Sequence, residues 1–304
     1  QRQYPPFGGL LAVPISQLKR VYQSPGPINE PNASLDDAGR WSPGLVAAGF
    51  KAGDVVLNAF AYHMPPAGAS LEDALRKVGC VVIPGGIGNQ EQQIEAMLSF
   101  GATGYVGLPS YLKALLDKAE SLGKSLQLDH AFVLAEPLPP SLREELRQRG
   151  VSVQQAYGTA ECGNLGYETA VLNGWHIPDG VIVQICDINT GEPLPHGETG
   201  EVVATQLNTH YAIVRFGVGD LSAIIPESAT DGGPLRLAGW QGRVGAATKV
   251  RGMFLHPTQL AAMMKRFPEI DKYQAVITRQ DHKDHLALEL TIDPDIELDK
   301  FALA

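Results

Sequence analysis

Between residues 55 and 160, short apolar runs alternate with longer stretches whose apolar positions recur every three or four residues. The short runs are VVLNAF (55–60), CVVIPGG (80–86), TGYVGLP (103–109), HAFVLAE (130–136) and VSVQQAY (151–157). Helical spacing marks GASLEDALRKVG (68–79), NQEQQIEAMLSFG (89–101), PSYLKALLDKAESLG (109–123) and PPSLREELRQRG (139–150). A Pro-Ser start and a terminal Gly suit 109–123 to a helix. Short strands alternating with helices of this length predict βαβ units around a parallel sheet. Ligands of such sheets sit beyond the carboxyl ends of the strands. Four of those ends carry small or polar residues: Gly85-Gly86, Gly107-Leu108-Pro109, Ala135-Glu136-Pro137 and Tyr157-Gly158-Thr159. A cleft would use these edges.

After about residue 175 the period changes. VIVQICDINTGEPLPHGETGEVVATQL reads as strands joined by turns at 189–192 and 196–198, with further strands around AIVRF and LSAII. GRVGAATKVRG (242–252) is short, polar and rich in small residues, as a linker is. Beyond it, a helix started by Pro (257–266) and the runs YQAVIT and HLALELTI read as a small α+β unit. The expected fold class is therefore α/β. A large domain (1–241) has a βαβ core at about 55–160 and a β-rich part at about 175–241, and residues 242–304 form a hinge and a partial, mobile α+β domain. With Gln1 at one end and Ala304 at the other, the chain reads as a fragment or as the ordered part of something longer.

Composition narrows the function. Twenty-four basic residues against 33 acidic give a net charge of −9. No Lys/Arg-rich run or basic–aromatic alternation is present, which argues against nucleic acid as a partner. No apolar stretch approaches the roughly 18 residues of a membrane span, and no signal-peptide pattern is visible. A soluble, cytoplasmic protein is expected. Cys80, Cys162 and Cys186 are far apart, without metal spacing or an even disulfide count.

The chemistry gathers in four places. YGTAE (157–161) sets an aromatic ring, a hydroxyl and a carboxylate side by side at a strand end. AEP (135–137) ends the preceding strand and should lie beside it. RFGVGDL (215–221) presents Asp220 just after two glycines, and Gly242-Arg243 and Arg251-Gly252 bracket the linker. Taken in order, these segments resemble the phenylacetate–coenzyme A ligase family of the adenylate-forming superfamily. YGTAE is similar to its Tyr-Gly-Thr-x-Glu motif, RFGVGDL to its Arg-Tyr-Arg-Thr-Gly-Asp-Leu motif, and GRVGAATKVRGMFLHPTQ to its hinge. The resemblance runs from about residue 6 to the end.

That resemblance implies an enzyme that joins a small carboxylic acid, aromatic acids included, to the α-phosphate of ATP before thioester formation with coenzyme A. It implies that Tyr157 faces adenine and that Ala135, Glu136 and Pro137 offer backbone groups to the base, with Gly158 between ring and hydroxyl. It further implies that Asp220 accepts both ribose hydroxyls, Thr159 donates to the α-phosphate and Glu161 ligates Mg²⁺. Arg243 would meet ribose or phosphate as the hinge closes. The acid's pocket would take Tyr62 and His63, with Gly107 and Ala135 nearby. Cys162 beside Glu161 has no matched base for a nucleophile. A homodimer is compatible with the family.

Two departures stand out. Active members carry a Ser/Thr/Gly-rich loop ending in Gly-Lys that cradles the β- and γ-phosphates. Here residues 22–31 read YQSPGPINEP, without threonines or lysine, and prolines remove amide donors. Glu30 sets a negative charge where phosphate would approach. In the hinge, Val244-Gly245-Ala246 stand where aspartates are usual, and the family's carboxy-terminal catalytic lysine would lie beyond Ala304. The alternatives are therefore a degenerate relative that binds AMP or an acyl compound without turnover, and an α/β scaffold with no small ligand.

Overall fold

The computed structural model describes residues 1–34, 36–244, 248–250, 253–255, 260, 263–264, 266–267, 270–280 and 283–292. Contacts divide the chain into Gln1–Gly242 and Arg243–Ala304. In the first unit the elements run β1 (Arg20–Ser24), β2 (Ile28–Asn32), α1 (Ser42–Ala47), β3 (Val55–Asn58), α2 (Ala67–Val78), β4 (Val81–Ile83), α3 (Gln90–Phe100), β5 (Gly104–Gly107), α4 (Pro109–Ser121), β6 (His130–Val133) and α5 (Pro140–Gln148). They continue with β7 (Ser152–Thr159), β8 (Gly163–Tyr167), β9 (Trp175–His176), β10 (Val181–Cys186), β11 (Gly200–Gln206), β12 (Phe216–Ser222) and β13 (Arg236–Leu237).

The central apolar runs are strands covered on both faces, which is why they read as continuous rather than alternating hydrophobic segments. β5 is buried throughout. β7, β6, β5, β3 and β4 lie in that order and in parallel, with Val56 opposite Gly104, Tyr105 opposite Ala131 and Phe132 opposite Gln154. β8, β9 and β13 extend the sheet antiparallel from β7. One core joins Leu57, Tyr105 and Val133 to Ile94 and Met97 of α3, Leu112 and Leu115 of α4 and Leu142 and Leu146 of α5. The other joins Val56, Val106 and Phe132 to Leu45 of α1 and Leu71, Ala74 and Leu75 of α2. Each such fully buried side chain contributes about 1.5–3 kcal/mol. The expected α/β architecture, a parallel sheet with helices on both faces, is the one observed.

The β-rich part has its own core. β10, β11 and β12 run antiparallel, and Val183, Ile185, Val202 and Ala204 pack with Leu165, Trp175 and Leu237. Tyr157 packs against this cluster, so the end of β7 belongs to both parts of the unit. No described helix is long and apolar enough to cross a membrane.

Three local readings need correction. Residues 20–32 form a β-hairpin, β1 paired antiparallel with β2 from Arg20↔Asn32 to Ser24↔Ile28, rather than a loop. An ion pair of 2.5 Å between Arg20 Nη1 and the buried Asp73 Oδ2 ties this hairpin to α2. Second, the strand expected over 151–157 does not stop at Tyr157: β7 runs on through Gly158 and Thr159, and only residues 160–162 turn before β8. The cross-strand bonds of Gly158↔Asn164 and Thr159↔Gly163 hold them extended. Third, RFGVGDL lies on a strand from Phe216, and the residues of AIVRF before it do not.

In the second unit, Thr248–Val250 pairs with Met253–Leu255 and Ile270–Gln280 with Lys283–Ile292, both antiparallel. The helix expected over 257–266, and Arg251 and Gly252, fall largely or wholly outside the described residues.

Candidate functional site

The carboxyl edge of the sheet brings AEP and YGTAE together as the sequence implies. Gln155 Nε2 donates to the Glu136 carbonyl at 2.9 Å, stapling the end of β6 to β7. The Glu136 carboxylate accepts from Ser110 Oγ at 2.6 Å. Ala135 stands at φ 70°, a left-handed conformation uncommon for a residue with a Cβ. It is exposed, as Pro137 is, and this is the kind of backbone outlier that accompanies ligand sites.

Two of the three tryptophans meet the YGTAE strand, and the third reaches it through Asp220. Trp175 stacks on the Tyr157 ring with centroids 5.3 Å apart and planes 17° from parallel. A Cβ at Gly158 would fall 2.7 Å from Trp41 Cη2 and 2.1 Å from the Gly163 carbonyl oxygen, so only glycine fits there. Trp240 Nε1 donates to Asp220 Oδ1 at 3.0 Å. None of the three belongs to a motif, and their rarity was the only sequence signal for them.

Tyr157 Oη donates to Asp220 Oδ2 at 2.9 Å, joining two motifs 63 residues apart. Asp220 is 7% exposed, and a carboxylate that buried requires donors. One face of the Tyr157 ring is occupied by Trp175. The Thr159 hydroxyl accepts from the Cys162 amide at 3.1 Å, fixing the turn that carries Glu161. Gln206 Nε2 donates to the Glu161 carbonyl, so strand β11 also holds this turn.

Glu161 is half-buried, and a single protein carboxylate suits Mg²⁺, which keeps waters and binds largely through substrate phosphates. Among the described residues no group of three or more His, Cys, Asp or Glu could hold a metal by itself. The donor set therefore fits a metal delivered with a nucleotide. Glu30, expected to set a negative charge where phosphate would approach, is instead 5% exposed. Its carboxyl accepts from Ser24 Oγ at 2.8 Å. Burial and the neighbouring Glu161 carboxylate push it up to about 7. The correction has a simple cause: pairing opposite Tyr22 in the hairpin turns Glu30 inward.

The expected acid pocket is only partly assembled. Asn58 Nδ2 donates to Tyr62 Oη at 2.9 Å, which keeps Tyr62 at the end of β3, next to β5. The Leu134 amide donates to the Gly107 carbonyl at 3.2 Å, so Gly107 and Ala135 do end adjacent strands. Gly107 is buried, however, and a Cβ there would fall 2.2 Å from Tyr105 Oη, so packing of Tyr105 demands this glycine. His63 faces the hairpin, lining a cleft of about 390 Å³ between residues 23–27 and 63–65. Arg243 begins the second unit. Cys162 is 1% exposed, and burial pushes its thiol up to about 11, which removes it as a nucleophile.

The model of a family described as AMP-binding enzyme matches residues 45–209. A phenylacetate-coenzyme A ligase of Aromatoleum evansii is 29% identical over 307 residues, covering 95% of this chain and 69% of its own length. One of Thermus thermophilus is 29% identical over 309 residues, covering 96% and 69%. Among solved structures, a 2-hydroxyisobutyryl-CoA ligase in complex with 2-HIB-AMP and CoA superposes with a TM-score of 0.82 at 22% identity. That match covers 95% of this chain and 66% of the other, so the chain spans about two thirds of these relatives' length.

Proposed function

The chain belongs to the AMP-binding enzyme family, and from that premise we propose that it activates a small carboxylic acid as its acyl-adenylate, for transfer to coenzyme A. The acid's carboxylate would attack the α-phosphorus of ATP, and pyrophosphate would leave. The coenzyme A thiol would then displace AMP. The relatives named phenylacetate-coenzyme A ligase favour an aromatic acid. The same reading places the protein in the cytoplasm, where ATP and coenzyme A are available.

The observation that carries this reading is the Tyr157–Asp220 bond, because it sets a flat ring and a carboxylate at one place from two distant motifs. In the proposed complex adenine lies against Tyr157 and near the backbone of Ala135, Glu136 and Pro137. Asp220 accepts the ribose hydroxyls, and Gly158 lets the strand pass close to the nucleotide. Thr159 donates its hydroxyl proton to the α-phosphate while its oxygen keeps the Cys162 amide. Mg²⁺ would be held by Glu161 and the phosphates and would neutralise their charge. Arg243 would meet ribose or phosphate from the second unit, and Tyr62 and His63 would contact the acid. The test is pyrophosphate release by the intact chain given ATP, Mg²⁺ and phenylacetate. Its absence, with AMP still bound, would leave the second reading.

That second reading is a relative that binds AMP or an acyl-adenylate without turnover. The hairpin β1–β2 favours it, since paired strands and an inward Glu30 replace a loop of phosphate-binding amides.

A further inference from the structure

The chain after β13 runs back along β12. Ala238 N donates to the Ala223 carbonyl at 2.9 Å, Ser222 Oγ to the Gly239 carbonyl at 2.7 Å, and Gln241 N to the Leu221 carbonyl at 2.9 Å. These bonds place Trp240 beside Asp220, where the indole N–H donates to Oδ1 while Tyr157 holds Oδ2. The indole is 46% exposed. An aromatic ring left that far in solvent gains little from burial, so its polar contact to a buried carboxylate is the feature that calls for a function.

We propose that Trp240 is a positioning residue for the ribose of the bound nucleotide. The inference rests on the reading of Asp220 as the ribose acceptor. A carboxylate held through one oxygen can still turn about its Cβ–Cγ bond, a soft two-fold torsion. A donor on each oxygen fixes the carboxylate plane. A carboxylate offers about four acceptor positions, more than the Tyr157 and Trp240 donors use. Tyr157 and Trp240 therefore pre-set the geometry that a vicinal diol needs, and the nucleotide does not bear the entropic cost of ordering it. The indole N–H is a donor only, with no alternative role as acceptor or acid at this site.

The test compares AMP with 2′,3′-dideoxy-AMP, which keeps base and phosphate but lacks both hydroxyls, by calorimetry on the intact chain and on variants that melt cooperatively like the wild type. Trp240→Phe keeps a ring and removes the donor. It is expected to weaken AMP about fivefold, the size of one hydrogen bond, and to leave dideoxy-AMP unchanged. Trp240→His, which retains a ring N–H, should recover part of the AMP affinity. Equal weakening of both ligands would show that the ring acts by packing, and would overturn the proposal. Unchanged AMP affinity in Trp240→Phe would also overturn it, provided Asp220→Ala weakens AMP. Should Asp220→Ala itself leave AMP unaffected, the ribose reading fails and the role of Trp240 falls with it.

Discussion

Ser24 Oγ lies 2.8 Å from the carboxyl of Glu30, within a hairpin that occupies the segment matching the family's phosphate-binding loop. The contact makes Glu30 an internal group. Its carboxyl, raised to about 7 by burial and by Glu161, keeps in the folded chain a proton that the unfolded chain loses near its ordinary value of 4.5. Folding then releases no proton below that value, and stability falls as pH rises from about 4.5 to about 7. The loss is on the order of 3 kcal/mol at most, and is constant above pH 7. Glu30→Gln should flatten this fall and melt at a higher temperature than wild type at pH 8. Parallel melting profiles for the two proteins between pH 5 and pH 8 would place Glu30 outside this balance.

Asp220 is the acceptor on which two motifs and Trp240 meet. Asp220→Ala should weaken adenine-nucleotide binding by about 1–3 kcal/mol through the lost charge-assisted bonds to ribose. It should also lower stability by about 1–3 kcal/mol, because Tyr157 Oη and Trp240 Nε1 both lose this acceptor. Calorimetry and denaturant unfolding measure the two effects separately. Unchanged nucleotide affinity in a folded variant would remove Asp220 from the site.

Gly158 is fixed by contact rather than by backbone angle. Any side chain there meets the Gly163 carbonyl and Trp41 well inside van der Waals distance. Gly158→Ala should therefore cost at least 1–3 kcal/mol, about what overpacking costs in a filled interior, by spreading β7 from β8. Urea unfolding reads this directly; a variant as stable as wild type would mean that the hairpin relaxes without strain.

Much of the fold was legible because both signals it needs are local. Runs such as TGYVGLP and PSYLKALLDKAESLG state period and length together, and the structure places β5 and α4 within two residues of them. Tyr157, Asp220 and Ala135–Glu136–Pro137 could be named from motifs, and the bonds of Asp220 to Tyr157 and of Gln155 to Glu136 show why they adjoin. What the sequence withheld is non-local. The hairpin of residues 20–32 has no clear alternation, and its turn carries the prolines that looked like a broken loop. Whether Glu30 points outward or inward depends on a strand register that no residue type announces. Gly107 offered itself as space for a ligand, yet the neighbour it accommodates, Tyr105, is two residues away. The tryptophans sit at positions 41, 175 and 240, so nothing in the chain signals that Trp41 and Trp175 meet one strand while Trp240 binds the carboxylate that Tyr157 of that strand also holds.

The segment after Trp240 is proposed as a hinge between a large nucleotide-binding domain and a small mobile one. Gly242, at φ 138°, and Gly245 and Gly252 beyond it lower the cost of backbone rotation. Limited proteolysis of the intact chain should cut within residues 241–252 before it cuts the sheet. A first cut between residues 55 and 150 would count against this division.

This chain is proposed to grip the adenylate half of its nucleotide and not the triphosphate tail. Side-by-side calorimetry of AMP and of ATP with Mg²⁺ on the intact chain tests it most directly. Tyr157, Thr159 and Asp220 are the proposed contacts to the shared part of the two ligands, whereas the hairpin offers the β- and γ-phosphates no lysine and an inward carboxyl. A missing lysine–phosphate contact is worth about 1.5–3 kcal/mol. AMP should therefore bind at least as tightly as Mg·ATP. Clearly tighter binding of Mg·ATP would mean that another segment holds the terminal phosphates, and would contradict the account.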